Sequence, residues 1–354
     1  MNADMKHSRL NICGVITEYN PFHEGHAHHL RQARALTNCD CLVCIVSDYF
    51  SQRGLPSLMT WQDKTRLALN HGADLVIRLP AVYAAQSADH FARYAMESLS
   101  VLGVSTIVFG SECHDDRLLE KLADETGQIM PDPTTSQARN LPALQPNDIL
   151  GIQYIRQCRR LGIGWKTIPR DPGFISATAS RRAFFDGQPV DQADCMLAQQ
   201  RWESYYPFLR LSLLMTAPGR LKDFFLVTEG IEYRLAQSAR THRTWEEFLE
   251  SAISRTYSRA RIQRTCLMIL LQVTWEQMRE HDAFYHVIPA GFNQTGQALL
   301  ASLSEEQKKL VCLKFAQLPF FLKEVENKTA QLYDSVLTSP CDKGLIIQKG
   351  RSHA

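Results

Sequence analysis

The stretch Gly14-Val15-Ile16-Thr17-Glu18-Tyr19-Asn20-Pro21-Phe22-His23-Glu24-Gly25-His26-Ala27-His28-His29 decides the fold. Its apolar start reads as the end of a strand, Pro21 breaks that strand, and a helical pattern opens at His26. Gly25 lets the backbone come close to a ligand, and the helix that follows turns its N-terminal N–H groups into the loop, which makes a ready anion site. His23 and His26 straddle that glycine. Imidazoles placed there can donate hydrogen bonds to charge building on a phosphate as a phosphoanhydride breaks. The competing readings are a surface histidine cluster and a metal site. The second lacks a Cys or carboxylate set in this loop.

Outward from this stretch, residues 11–17, 41–47, 74–79 and 105–109 are rich in Val and Ile and read as strands buried on both faces of a parallel sheet. Helical patterns over 26–35, 61–71 and 88–102 alternate with them. Such alternation implies right-handed crossovers and ligands bound at the carboxyl ends of the strands. Residues 124–146 shift to Pro, Thr, Gln, Asn and Asp, a loop or flap. One more unit follows: a helix from 147 to 161, a strand over 165–168, and a helix over 178–185 that stops before Asp186-Gly187. After Gln188 the strand signals fade, and 245–254 and 260–272 carry helical spacing. The expected division is an α/β domain over 1–187, carrying the phosphate-binding loop, and a mostly helical domain over 188–354.

A chain of 354 residues fits two domains, and 45% hydrophobic with 21% charged residues excludes a disordered or coiled-coil chain. The net charge of +2 means that any nucleic acid must be met by a local basic face. No apolar run approaches the roughly 18 residues of a membrane span. Lys6 and Arg9 are followed by only a short apolar stretch before Glu18, which does not read as a secretory signal. A cytoplasmic protein with free thiols is the expectation. Cys39, Cys41 and Cys44 read as core thiols, because 41 and 44 fall on opposite faces of a strand and no second pair follows at zinc-ribbon spacing. No metal site is expected.

The order strand, Pro, His-x-Gly-His, helix resembles the signature of the nucleotidylyltransferase superfamily related to class I aminoacyl-tRNA synthetases. The longer string Glu18-Tyr19-Asn20-Pro21-Phe22-His23-x-Gly25-His26 is similar to that of the bacterial tRNA(Met) cytidine acetate ligases. Further strings agree in order: Ser51-Gln52-Arg53-Gly54-x-Pro56, Asp74-Leu75-Val76-Ile77, Phe109-Gly110-Ser111-Glu112, Pro146-Asn147-x-Ile149-Leu150-Gly151 and Ser176-Ala177-Thr178-x-x-Arg181. In the second half Glu229-Gly230-Ile231-Glu232, Arg261-Ile262-Gln263-Arg264 and Gly291-Phe292-Asn293-Gln294-Thr295-Gly296 continue the match, which covers nearly the whole chain.

The resemblance implies a Rossmann-like sheet followed by a helical tRNA-binding domain. It also implies a reaction in which acetate and ATP give acetyl-adenylate, and the acetyl group passes to N4 of the wobble cytidine of elongator tRNA(Met). His23 and His26 would stabilise the transition state. ATP contacts would fall on Ile16 to His29, Gly110, Asn147 and Arg170, and Ser176, Thr178 and Arg181 would form the second phosphate motif, with Mg²⁺ held by the phosphates. Read locally, Gly110 is equally a strand-end turn, Asn147 an N-cap, and the Ser176 motif a cap with a solvated arginine. Arg255, Tyr257, Arg259, Arg261 and Arg264 form a basic cluster with an aromatic, suited to tRNA phosphates and base stacking, or to plain solvated helix charge. No protein partner is inferred.

The chain departs from the family pattern at Asp48 and Tyr49, where Gly-His is usual, and at Leu55, Trp61 and Arg78, where an acidic, a basic and a Glu residue are usual. Two other readings stay open, one resting on the same loop and one on these departures. One is a small-molecule adenylyltransferase of cofactor synthesis, against which the long helical half argues. The other is a tRNA-binding paralogue without catalysis.

Overall fold

The computed structural model describes residues 10–125, 144–340 and 344–348. Seven strands, β1 Ile12–Thr17, β2 Cys41–Ser47, β3 Leu75–Leu79, β4 Thr106–Ser111, β5 Gly164–Pro169, β6 Pro289–Phe292 and β7 Ile346–Ile347, form one sheet in the order β5-β4-β1-β2-β3-β6-β7. The first five are mutually parallel. β2 is buried at every position, as its unbroken apolar run requires. Cys39, Cys41 and Cys44 are buried free thiols.

Helices α1 Glu24–Thr37, α2 Trp61–Asn70, α3 Ala81–Ala84, α4 Ala88–Val101, α5 Asp116–Glu125, α6 Pro146–Leu161 and α7 Ala177–Phe185 join or follow these strands. α1 begins two residues before the expected start because His23 caps it. Gln145 takes the N-cap position of α6 without a side-chain cap bond, which places Asn147 inside the first turn and removes the N-cap reading of that residue. Of the expected loop over 124–146, residues 126–143 lie outside the described residues, as do Lys6 and Arg9.

Strand signals fade after Gln188, yet two short strands lie beyond it. β6 pairs antiparallel with β3, and β7 pairs with β6, so the second half completes the sheet. The remainder of that half is helical, with Trp202–Met215, Ile231–Thr241, Trp245–Ala252, Arg259–Leu271 and Phe320–Asp334 as its longer elements. The rings of Trp202 and Trp245 stack at 4.6 Å in its core. The loop after β2 docks on this half at Gly54. Its φ is +73°, and an added Cβ would lie 2.8 Å from the backbone nitrogen of Arg264, so only glycine permits the approach. Among the described residues no helix is long and apolar enough to cross a membrane.

Candidate active site at the carboxyl end of β1

β1 lies between β2 and β4, and the chain builds outward from it in both directions. That is the switch point of an open α/β sheet, where the loops after neighbouring strands part and leave a crevice. The loop over residues 18–23 emerges there. Asn20 ties it to the loop after β2: its Nδ2 donates to the Pro56 carbonyl at 3.2 Å, and its Oδ1 accepts from the Leu58 amide at 2.8 Å.

His23 and His26 form a reciprocal cap on α1. Nδ1 of His23 accepts the Gly25 N–H at 3.1 Å, and Nδ1 of His26 accepts the His23 N–H at 3.2 Å. Their rings stack with centroids 3.8 Å apart. A neutral imidazole that accepts on Nδ1 carries its proton on Nε2. Burial keeps both rings neutral: it lowers His23 to about 4, helped by the charge of Arg170, and holds His26 well below the usual value. The site therefore offers two Nε2–H donors at a helix N-terminus. The other two histidines are used structurally. His29 Nε2 meets the Val108 carbonyl at 3.2 Å, and the His28 ring rests on Phe174 at 5.3 Å.

On the β4 side, a Cβ added to Gly110 would meet nothing within 4 Å, so the strand end is open to a ligand. Asn147 and Arg170 are brought together there by Glu112, which the motif strings contained but no role singled out. Asn147 Nδ2 donates to Glu112 Oε1 at 2.8 Å, the Asn147 amide to Oε2 at 3.1 Å, and Arg170 Nη1 to Oε1 at 2.9 Å. Beneath, buried Asp148 accepts from the Ser111 hydroxyl at 2.7 Å and the Glu112 amide at 3.0 Å.

In the Ser176 motif, Ser176 caps α7 by accepting the Ala179 N–H at 3.2 Å, and Thr178 is exposed. Arg181 reaches the site. Its Nη1 donates to Asn20 Oδ1 at 2.7 Å and to the Pro56 carbonyl at 3.3 Å, and burial lowers it to about 10.

Four of the five departures form one cluster at the ends of β2 and β3. Arg78 donates to Asp48 Oδ2 at 2.9 Å and also pairs with Glu326. Its guanidinium lies 4.8 Å from the Trp61 ring and 5.6 Å from the Tyr49 ring, and Trp61 Nε1 donates to the Tyr49 hydroxyl at 3.4 Å. Burial holds Glu326 above the usual carboxylate range against the pull of Arg78. Lys64, buried alongside, donates to the carbonyls of Ser47 at 2.8 Å and Asp48 at 3.2 Å, and burial lowers it to about 7. In the sequence Lys64 looks like a solvated helix lysine, and only the tertiary packing reveals it.

The basic cluster expected to meet tRNA is largely engaged within the protein. Tyr257 is buried, and its hydroxyl donates to the Glu229 carbonyl at 2.5 Å. Base stacking on Tyr257 is therefore corrected: the ring packs inward beneath Arg261, 4.9 Å from its guanidinium. Arg259 pairs with Glu246 at 3.0 Å and with Glu250, Arg261 with Glu229 at 3.1 Å, and Arg264 donates to the Gln86 carbonyl at 3.1 Å. Arg255 is exposed.

Comparison with known proteins agrees with this geometry. The family model described as HIGH Nucleotidyl Transferase matches residues 10–141 and 134–343. A tRNA(Met) cytidine acetate ligase of Lactiplantibacillus plantarum is 33% identical over 84% of this chain and 87% of its own. One from Syntrophotalea carbinolica is 35% identical over 76% of each chain. The crystal structure of Thermotoga maritima TmcAL bound with alpha-thio ATP superposes with a TM-score of 0.84 at 25% identity, covering 96% of this chain and 100% of that one. The chain belongs to the HIGH nucleotidyl transferase family and, within it, to the tRNA(Met) cytidine acetate ligases.

Proposed function

We propose that the protein activates acetate with ATP and transfers the acetyl group to N4 of the wobble cytidine of elongator tRNA(Met). The observation that carries this reading is the stacked pair of neutral imidazoles, His23 and His26, whose Nε2–H donors stand at a helix N-terminus on the switch point of the sheet. A carboxylate oxygen of acetate attacks the α-phosphorus as its bond to the pyrophosphate oxygen breaks. The two imidazoles donate to the phosphate oxygens on which charge gathers. The cytidine amine then attacks the mixed anhydride, loses a proton, and AMP leaves. No covalent enzyme intermediate is needed; positioning and charge stabilisation supply the catalysis. Glu112, Asn147 and Arg170 would hold the nucleotide, and Ser176 and Arg181 the phosphate tail. The helical residues after 188 would carry the tRNA.

Among the described residues no three of His, Cys, Asp and Glu gather to cage a metal. Mg²⁺ would be bound through the phosphates of ATP, and no step above is routed through it. The departures at Asp48, Tyr49, Trp61 and Arg78 contact one another within the protein, so they are accommodated together, and turnover decides between a catalyst and a non-catalytic relative. The test is pyrophosphate exchange into ATP by the purified protein with Mg²⁺ and a panel of carboxylic acids. Acetate-dependent exchange, followed by acetyl transfer to tRNA, is the expected result. ATP binding without exchange would overturn the reading.

A further inference from the structure

The rim of the site carries an aromatic platform that the phosphate chemistry does not use. Phe185 ends α7 and keeps 37% of its surface exposed. Two guanidiniums lie over its ring, Arg181 at 6.0 Å and Arg201 at 5.9 Å from the centroid, and Phe184 meets it edge to face at 5.5 Å. Arg201 is exposed and opens the helix Trp202–Met215. Arg181 is at once the residue whose Nη1 donates to Asn20 Oδ1 at 2.7 Å, so Phe185 stands one side chain away from the loop that ends in His23. Neighbouring Arg182 is largely exposed, 3.7 Å from Asp186.

An amine on a base reaches a mixed anhydride only if the nucleotide leaves its stack and is held at the mouth of the site. A partly exposed ring with the exposed Arg201 guanidinium over it offers what an unstacked base and its phosphate need: a planar stacking surface of ring and guanidinium, and a cation. The distant cluster at residues 255–264 offers less. Its aromatic is buried and three of its arginines already face Glu or a carbonyl. Positive charge beside an exposed aromatic, continuous with a site that takes nucleotides, favours single-stranded RNA over an apolar peptide as the occupant.

We propose that Phe185 and Arg201 form the platform that holds the acceptor nucleotide of a single-stranded RNA loop at the active site. This rests on the reading of the acyl acceptor as tRNA. It assigns Phe185 to stacking and Arg201 to a flanking phosphate.

Two assays on the full chain separate the possibilities: acetate-dependent pyrophosphate exchange, which needs no RNA, and acetyl transfer to tRNA. Phe185→Ala should leave exchange unchanged and raise the KM for tRNA about tenfold or more, the usual worth of a stacked base. Phe185→Trp should restore a low KM, and its fluorescence should be quenched by an anticodon stem-loop. Arg201→Ala should weaken tRNA binding and reduce the slope of log affinity against log salt by about one. An unchanged KM for tRNA in Phe185→Ala overturns the proposal, and so does an equal fall in exchange and transfer. If the wild type exchanges but acetylates no tRNA, the acceptor reading has failed instead. The platform is then judged by the stem-loop alone, and absence of quenching in Phe185→Trp overturns it.

Discussion

His26 accepts the backbone N–H of His23 on Nδ1 at 3.2 Å, and this bond sets both the start of α1 and the position of a proton. A ring that caps a helix with Nδ1 presents Nε2–H outward. Structure and chemistry thus share each imidazole, and a substitution that keeps the cap can separate them. His23→Asn retains a good N-cap residue but lacks the Nε2 donor. Pyrophosphate exchange should fall by about 10² to 10³, as for other lost transition-state donors, while the urea midpoint barely moves. His26→Ala should be equally inactive and lose about 1 kcal/mol of stability with the cap. Retained exchange in either variant would refute the assigned role.

The same burial makes a pH prediction. His23 titrates at about 4 in the folded protein and His26 well below its usual value, whereas unfolded histidines titrate near 6.5. Between these values the unfolded chain binds more protons, so unfolding free energy rises with pH across the window. This contribution is complete above about pH 6.5 and is lost as pH falls toward 4. Urea titrations from pH 4 to 7 should show that slope, and His23→Asn should flatten part of it. A wild-type curve that is flat, or that falls with pH, would show that the imidazoles are charged in the folded state.

Glu112 holds together Asn147 at 2.8 Å and Arg170 at 2.9 Å, the residues proposed to bind the nucleotide. Glu112→Gln removes the charge that orients the guanidinium and replaces one of its two accepting oxygens by a donor, which must face N–H groups either at Arg170 and Asn147 Nδ2 or at the amides of Asn147 and Asp148. The KM for ATP in the exchange assay should rise several-fold with kcat much less affected, the signature of lost binding that is uniform between ground and transition states. If kcat falls while KM holds, Glu112 acts on the chemical step instead.

What was legible in the sequence was local. The runs at β1 to β4 announced themselves by Val and Ile, and His23, Gly25 and His26 lie within four consecutive residues at the start of α1. β6 and β7, four and two residues long, are too short to carry a period, and they are strands only because β3 offers an edge. Glu112 stands in the sequence only as the end of a motif string, and its role appears when Asn147 and Arg170 come to it from other elements. Tyr257 next to arginines looked like a stacking platform, yet the Glu229 carbonyl, 28 residues away, turns its hydroxyl inward. Side-chain pairing across the chain, rather than residue type, decided each of these.

Arg78 and Glu326 are 248 residues apart in sequence and bind each other across the end of the sheet. Asp48, fully buried, is the second carboxylate on the same guanidinium, and Glu326 is 4% exposed. Removing one partner of such a group costs more than the pair is worth, because the remaining charge stays out of water. Arg78→Met should therefore destabilise the protein by about 3–5 kcal/mol, read from urea unfolding. Without the guanidinium, Glu326 is held further above its unfolded range of about 4.3, so it folds protonated where the unfolded chain is ionised. Glu326 is already held above that range beside Arg78, so wild type and Arg78→Met alike should lose stability as pH rises from 5 toward 8, and the extra loss of the variant should grow only above about pH 8, where the wild-type carboxyl ionises. Adding Asp48→Asn and Glu326→Gln to Arg78→Met removes the stranded charges and should recover much of the stability and abolish the pH trend. A loss under about 1 kcal/mol in Arg78→Met would mean that water reaches both carboxylates, and that the clasp does not hold the C-terminal helix Phe320–Asp334 against the sheet.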